Sequence, residues 1–345
     1  MTCTTVDPHP SRSSTSAATP SPALSSVSTS LRRFAWFNLA YNVLVILWGA
    51  IVRATGSGGG CGEHWPLCNG VVLPQLARFH TFVEFTHRMM SGTSLLLIAV
   101  LLVWTWRSTS KGNLARWAAG TAMVLVLNEA LLGALLVLLG LVGKNHSFGR
   151  GVYLSIHFAN TLLLLAALTL AAEFLSHPRT RAATALRHGK LIFPIFGLLT
   201  TIIVGVSGSL AALGDTLFPA SSLSSALHQD FSPTASLLLR LRWIHPASAC
   251  LAAAFIAWLL IQSLRRTAPT RSRWLGTAVL VTLLFQFFLG ILDVLLLAPT
   301  WLQILHLFGA DIFWICLILL VADYSLLNRS AFREGFPPTT IVSSL

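Results

Sequence analysis

The sequence predicts an all-α integral membrane protein, with eight transmembrane helices forming two pseudo-twofold-related four-helix bundles. Of the 345 residues, 54% are hydrophobic and only 10% charged, with a mean hydropathy of +0.74. Soluble globular domains do not reach that balance. Apolar runs recur at lengths sufficient to cross about 30 Å of hydrocarbon at about 1.5 Å of rise per residue. The two halves of the chain also echo one another, which divides the spans four and four.

Eight runs qualify, at about 34–55, 81–106, 115–141, 151–175, 191–212, 238–264, 274–298 and 301–326. Basic residues fall in alternate connections between them. One set, from Arg12 to Arg333, holds sixteen; the other holds six, namely Arg53, Arg78, Lys144, Arg150, Arg240 and Arg242. This is the positive-inside pattern, and it places both termini in the cytoplasm of a multi-pass protein of the cell (inner) membrane. The net charge of +12 therefore reflects topology and lipid contact and gives no sign of nucleic acid.

Residues 1–33, rich in Ser, Thr, Pro and Ala, read as a disordered cytoplasmic tail, since no apolar core suits a secretory signal and the prolines spoil an amphipathic transit helix. The first bundle is expected over 34–176, a cytoplasmic linker over 177–190, the second bundle over 191–326 and a second tail over 327–345.

The repeat is specific. "NEALLGALLVLLG" in span 3 resembles "FQFFLGILDVLLL" in span 7, with Gly133 and Gly290 157 residues apart. His87 and His245 are 158 apart, Gly49 and Gly208 are 159 apart, and His157 and His306 are 149 apart across a shorter final connection. Each bundle is thus expected to own one histidine pair.

Of eleven histidines, only these four lie within spans, each about five to seven residues inside the outer end of an even-numbered span. An unpaired polar group in hydrocarbon costs several kcal/mol, so such residues face a bundle interior. Taken singly, each could be an interhelical hydrogen bond. Four at matched depth point instead to imidazoles facing one another across an apolar core, the arrangement that holds a haem iron from both sides. Zinc fits less well, because a structural site takes four ligands. Cys250, five residues beyond His245, reads as a small core residue.

Glu84 lies three residues before His87 and shares its helix face, whereas the matching position in the second half is Arg242. A carboxylate at this mouth can serve as a general acid or base, or simply neutralise Arg88 four residues on. Arg88 can alternatively pair with a haem propionate. In the outer loop "GSGGGCGEHWPLCNG", Cys61 and Cys68 can cross-link in an oxidising compartment, as a staple for a lid or as a redox pair. The second-half loop has no cysteine; its Asp215 and Asp230 either line the mouth or are solvated.

From about residue 35 to 326, the chain resembles the haem A synthase family of the CtaA type. The specific motifs are "VRATGSGGGCGEHWPLCNGVVLP" and "EFTHRMMSG"; "HFANTLLLL", "WIHPASA" and "LQILHLF" are weaker markers. The resemblance implies an enzyme that oxidises the C8 methyl group of haem O to a formyl group by successive hydroxylations. It also implies that His245 and His306 ligate haem b, while His87 and His157 flank the haem O substrate and Glu84 is needed for turnover. A haem O synthase is then a candidate partner, homo-oligomers are compatible, and the electron acceptor is left open. Many bacterial members carry a second cysteine pair in the second-half loop; here it is missing. The rival readings are a bis-histidine di-haem electron carrier, which has little need of Glu84, and a haem transporter, which the repeat alone would allow.

Overall fold

The computed structural model describes Met1 and residues 27–75, 78–178, 192–233, 235–265 and 267–327. Nearly all of the expected N-terminal tail, most of the 177–190 linker and residues 328–345 lie outside the described residues. What remains is helical. The elements are α1 (Thr29–Ala54), α2 (Phe79–Ser108), α3 (Leu114–Leu138), α4 (Phe148–Ser176), α5 (Ile192–Leu217), α6 (Leu223–Phe231), α7 (Leu237–Leu241), α8 (Ile244–Ser263), α9 (Thr270–Leu295) and α10 (Thr300–Leu327), with one 3-10 turn at Ser57–Gly59. Eight stretches are long and apolar enough to cross a membrane, with α7 and α8 counted together as one.

Local chemistry sets the helix ends. The Ser28 hydroxyl accepts from the Leu31 N–H at 3.2 Å and starts α1 five residues before the apolar run. Residues 29–33, read from sequence as tail, are therefore helix; Leu31 is fully buried. Arg32 and Arg33 lower the hydropathy there without opposing the helix, since arginine is a good helix former. Asn113 and Ser147 cap α3 and α4 in the same way. Gly56, with φ of +67°, follows the end of α1, and its left-handed conformation turns the chain out of the helix.

The sixth span is broken close to its N-terminal end. Pro246 has no N–H to give to the Arg242 carbonyl and its ring crowds that position, so α7 stops at Leu241 and α8 begins at Ile244.

The packing is two closed rings. Helix α1 packs on α2, α2 on α3, α3 on α4 and α4 back on α1; likewise α5 on α8, α8 on α9, α9 on α10 and α10 on α5. The rings meet through α1 and α4 against α5 and α10. Leu165, Leu168, Ile256, Trp314 and Leu317 belong to one continuous apolar core. Within it the Trp314 indole N–H donates to the Leu162 carbonyl at 2.8 Å, tying α10 to α4. Cys250 of α8 is exposed, contrary to the reading of it as a core residue. Distance from His245 along the chain fixed its depth but not which way its face turned.

Polar ties pin the halves at both ends. At the end of the bundles where α4 stops and α9 begins, Arg271 of α9 donates to both oxygens of Glu173 on α4 at 2.7 Å, and its Nε lies 3.6 Å from Asp323 on α10. At the opposite end, Arg53 of α1 donates to the Ala212 carbonyl (2.6 Å), the Thr216 hydroxyl (2.8 Å) and Gln303 Oε1 (2.8 Å). Charge-assisted bonds of this kind outlast neutral ones in a low-dielectric setting. In a double-mutant cycle of Glu173→Gln and Arg271→Leu, unfolding in detergent should report a coupling on the order of 1 to 2 kcal/mol, given the partial exposure of Arg271; additive effects would remove this tie from the account.

Candidate functional site

Each ring contributes two histidines from facing helices, all four half-buried. In the second ring, His245 of α8 and His306 of α10 face each other with ring centroids 6.2 Å apart and planes at 88°. Two imidazoles bound to one metal from opposite sides have centroids about 6 Å apart, from metal–nitrogen bonds of about 2 Å and about 1 Å from each nitrogen to its centroid. The spacing therefore suits an iron between the rings. Among the described residues, no three His, Cys, Asp or Glu side chains cluster as a metal-ion site. The donors come as one pair of imidazoles in each ring, a donor set that would suit a haem.

Every histidine is seated against a glycine of a neighbouring helix. A Cβ added at Gly49 would stand 3.1 Å from His87 Cε1, at Gly208 2.8 Å from His245 Cε1, at Gly290 3.5 Å from His306 Cε1 and at Gly133 3.9 Å from His157 Cε1. These are the glycines that the sequence repeat aligned with one another. Their missing side chains let the odd-numbered spans approach the rings closely.

The ring nitrogens differ in what holds them. His245 Nδ1 lies 3.1 Å from the Val204 carbonyl and 3.4 Å from the Ser207 hydroxyl. His87 Nδ1 has no hydrogen-bond partner. His157 Nδ1 lies 3.6 Å from Glu129 Oε1, just beyond hydrogen-bond length. Glu129 was not singled out in the sequence. The available signal was its position four residues before Gly133, the same helix face, matched in the second half by Gln286 before Gly290.

Over the first ring, Cys61 and Cys68 form a disulfide, and the loop that it closes is fastened to α2. Glu84, almost fully buried, accepts the Cys61 N–H on Oε2 at 2.8 Å and pairs through Oε1 with Arg88 Nη2 at 2.5 Å. Arg88 Nη1 donates to the carbonyls of His64 and Leu67, both at 2.8 Å. The Glu84–Arg88 pairing considered from sequence is thus present, and it anchors the loop as well as neutralising charge. One helical turn carries the loop anchor and His87 together.

The second ring uses opposite charges for the same purpose. Arg242 Nε is 3.1 Å from Asp215 and Nη1 is 3.2 Å from Asp230 on α6, while Nη2 donates to the Phe218 carbonyl at 3.0 Å. Asp215 and Asp230 are therefore paired. Burial pushes the Asp230 carboxyl up, and neighbouring Arg242 opposes the rise.

Comparison with known proteins places this geometry in context. The profile of a family described as cytochrome oxidase assembly protein (COX15-CtaA) matches residues 32–318. A Thermus thermophilus protein named protoheme IX farnesyltransferase is 42% identical over 308 residues, covering 88% of this chain and 49% of that protein. A heme A synthase of Bacillus mycoides is 29% identical over 300 residues, covering 83% of this chain and 91% of that protein. A heme A synthase of Bacillus pumilus is 28% identical over 269 residues, covering 73% and 81%. The chain spans about half the length of the Thermus relative that it matches.

The niches make a graded prediction. Gly208→Ala puts a methyl group 2.8 Å from His245 Cε1, so the ring must move, whereas the 3.5 Å contact at Gly290 is ordinary. Low-spin haem absorbance of the purified protein should fall strongly in Gly208→Ala and only weakly in Gly290→Ala; equal losses would mean that the close approach does not seat the ring.

Proposed function

Because the chain belongs to the cytochrome oxidase assembly protein (COX15-CtaA) family, we propose that it is a haem A synthase, oxidising the C8 methyl group of haem O to a formyl group. The observation that carries this reading is a repeated pair of glycine-seated histidine sites that differ in their partners: Glu84 stands one turn from His87 where the second half has Arg242, and Glu129 lies within 4 Å of His157, an ion-pair distance that, among the described residues, no carboxylate keeps to His245 or His306. A symmetric electron carrier has no use for that difference. The heme A synthases of Bacillus, similar over most of their length, support it as well.

In this reading His245 and His306 hold haem b, and His87 and His157 hold the haem O substrate. Bound haem supplies the redox chemistry. The protein's own groups supply the rest. Glu84, fixed by the Cys61 N–H and Arg88, takes up or releases the proton that accompanies methyl oxidation. Arg88 contributes positive charge toward the haem carboxylates at the same mouth. The disulfide loop, tied down by both side chains, covers the first site and limits the entry of water. The pair Cys61–Cys68 is assigned here to that stapling role.

The reading extends to setting and supply. The protein lies in the cell (inner) membrane with both termini in the cytoplasm, as the asymmetry of basic loops favours. A farnesyltransferase acting on protohaem makes the farnesylated haem that this oxidation consumes. The relative of twice this length that bears such a name supports a haem O synthase as a functional partner of this oxidation.

Pigment extraction from membranes expressing the chain together with a haem O synthase should yield haem A, and its absence would overturn the assignment. Glu84→Ala should keep haem b and lose haem A; an undiminished yield would remove Glu84 from the chemistry. His245→Ala and His306→Ala should each abolish the low-spin haem b spectrum, while His87→Ala mainly lowers turnover; a normal bis-histidine spectrum in His245→Ala would reverse the halves.

A further inference from the structure

The two histidine sites differ at one position that the repeat makes directly comparable. Glu129 and Gln286 are 157 residues apart, the same offset as Gly133 and Gly290, and each stands one turn before its glycine on the helix facing the fourth-span or eighth-span histidine. In the second ring, the Gln286 amide, oriented so that both ends are satisfied, donates to the His306 carbonyl at 3.1 Å and accepts from the Ala310 N–H at 3.0 Å. It is spent on the backbone of α10 and carries no charge.

Glu129 is held differently. Its Oε1 accepts from the Thr161 hydroxyl and its Oε2 from Asn160 Nδ2 at 2.5 Å. Asn160 is fixed in turn by donating to the Leu125 carbonyl at 2.9 Å and by accepting from Asn128 Nδ2 at 2.8 Å. The clamp leaves Oε1 facing His157 Nδ1 at 3.6 Å, and that nitrogen has no hydrogen-bond partner. A shift of a few tenths of an ångström makes the bond. Thr161 also donates to the His157 carbonyl at 2.9 Å, so the residue that positions the carboxylate is bonded to the histidine as well.

We propose that Glu129 is a positioning residue for the haem O site, accepting the Nδ1–H of His157 so that Nε2 would face the iron with increased electron donation, while among the described residues no carboxylate pairs in this way with His245 or His306. The inference rests on His157 being an axial ligand. Carboxylate partners of metal-binding imidazoles fix the tautomer and raise ligand basicity, and their loss commonly costs about 10- to 100-fold in metal affinity. A more basic ligand favours ferric over ferrous iron, so a haem held there would have a lower potential with Glu129 than without it.

The test uses Glu129→Gln, which keeps the side-chain shape, can still bond Asn160 and Thr161, and makes the first ring resemble the second. Haem O is added to the purified protein carrying haem b, and both haems are followed by optical redox titration and resonance Raman spectroscopy. The first-ring haem should bind about tenfold more weakly. Its midpoint should rise by about 60 mV, which corresponds to a tenfold change in the ratio of ferric to ferrous affinity for a one-electron couple. Its iron–histidine stretch should move to lower frequency, with haem b unchanged. Glu129→Asp should recover part of the shift. An unchanged first-ring midpoint, or equal movement of both haems, overturns the proposal. If His157→Ala leaves the first-ring spectrum intact, it is the ligand assignment that has failed.

Discussion

The contact between each membrane-embedded imidazole and the glycine facing it is the constraint on which the rest of the structure depends. His87 meets Gly49, His157 meets Gly133, His245 meets Gly208 and His306 meets Gly290. A helix in hydrocarbon gains little by burying leucine against leucine, since lipid is equally apolar; close approach and polar satisfaction decide which faces pair. With the histidines on even-numbered spans and the glycines on odd-numbered ones, the approach is tight at Gly49 and Gly208 and an ordinary contact at Gly133 and Gly290.

On this symmetric frame the charges are arranged unequally. In the first ring, Glu84 and Arg88 hold a disulfide-closed loop and Glu129 lies against the other histidine. In the second, Arg242 takes the position of Glu84 and gathers Asp215 and Asp230. Both solutions tie an outer loop to the turn that bears a histidine. They differ in which partner stands on the histidine-bearing turn, a carboxylate in the first ring and a guanidinium in the second. The two rings are joined by arginines at opposite ends, Arg53 and Arg271, and by the Trp314 bond between them, so they do not move as independent units at these points.

Much of this was legible in the residues. Hydropathy and length located the eight spans, because the cost of an exposed peptide group in hydrocarbon forces helices of a known minimum size. The repeat aligned His87 with His245 and Gly49 with Gly208 before any contact was known, and the loop cysteines stood out by their spacing and side. Helix ends were less legible. The Ser28 cap extended α1 back through Arg32 and Arg33, and Pro246 divided the sixth span, both being local hydrogen-bond effects that hydropathy averages away.

What the sequence determined by itself was periodic or cumulative: the number of spans, the twofold repeat, the depth of the four histidines and the asymmetry of Glu84 against Arg242. What only the tertiary structure decided was which face each residue presents and what meets it there. Cys250 lies exposed. Glu129, 28 residues from His157 in the chain, came to rest beside it because α3 packs against α4. Depth in a membrane is a sum over residues and can be read along a sequence; direction around a helix axis is chosen by the neighbouring helix.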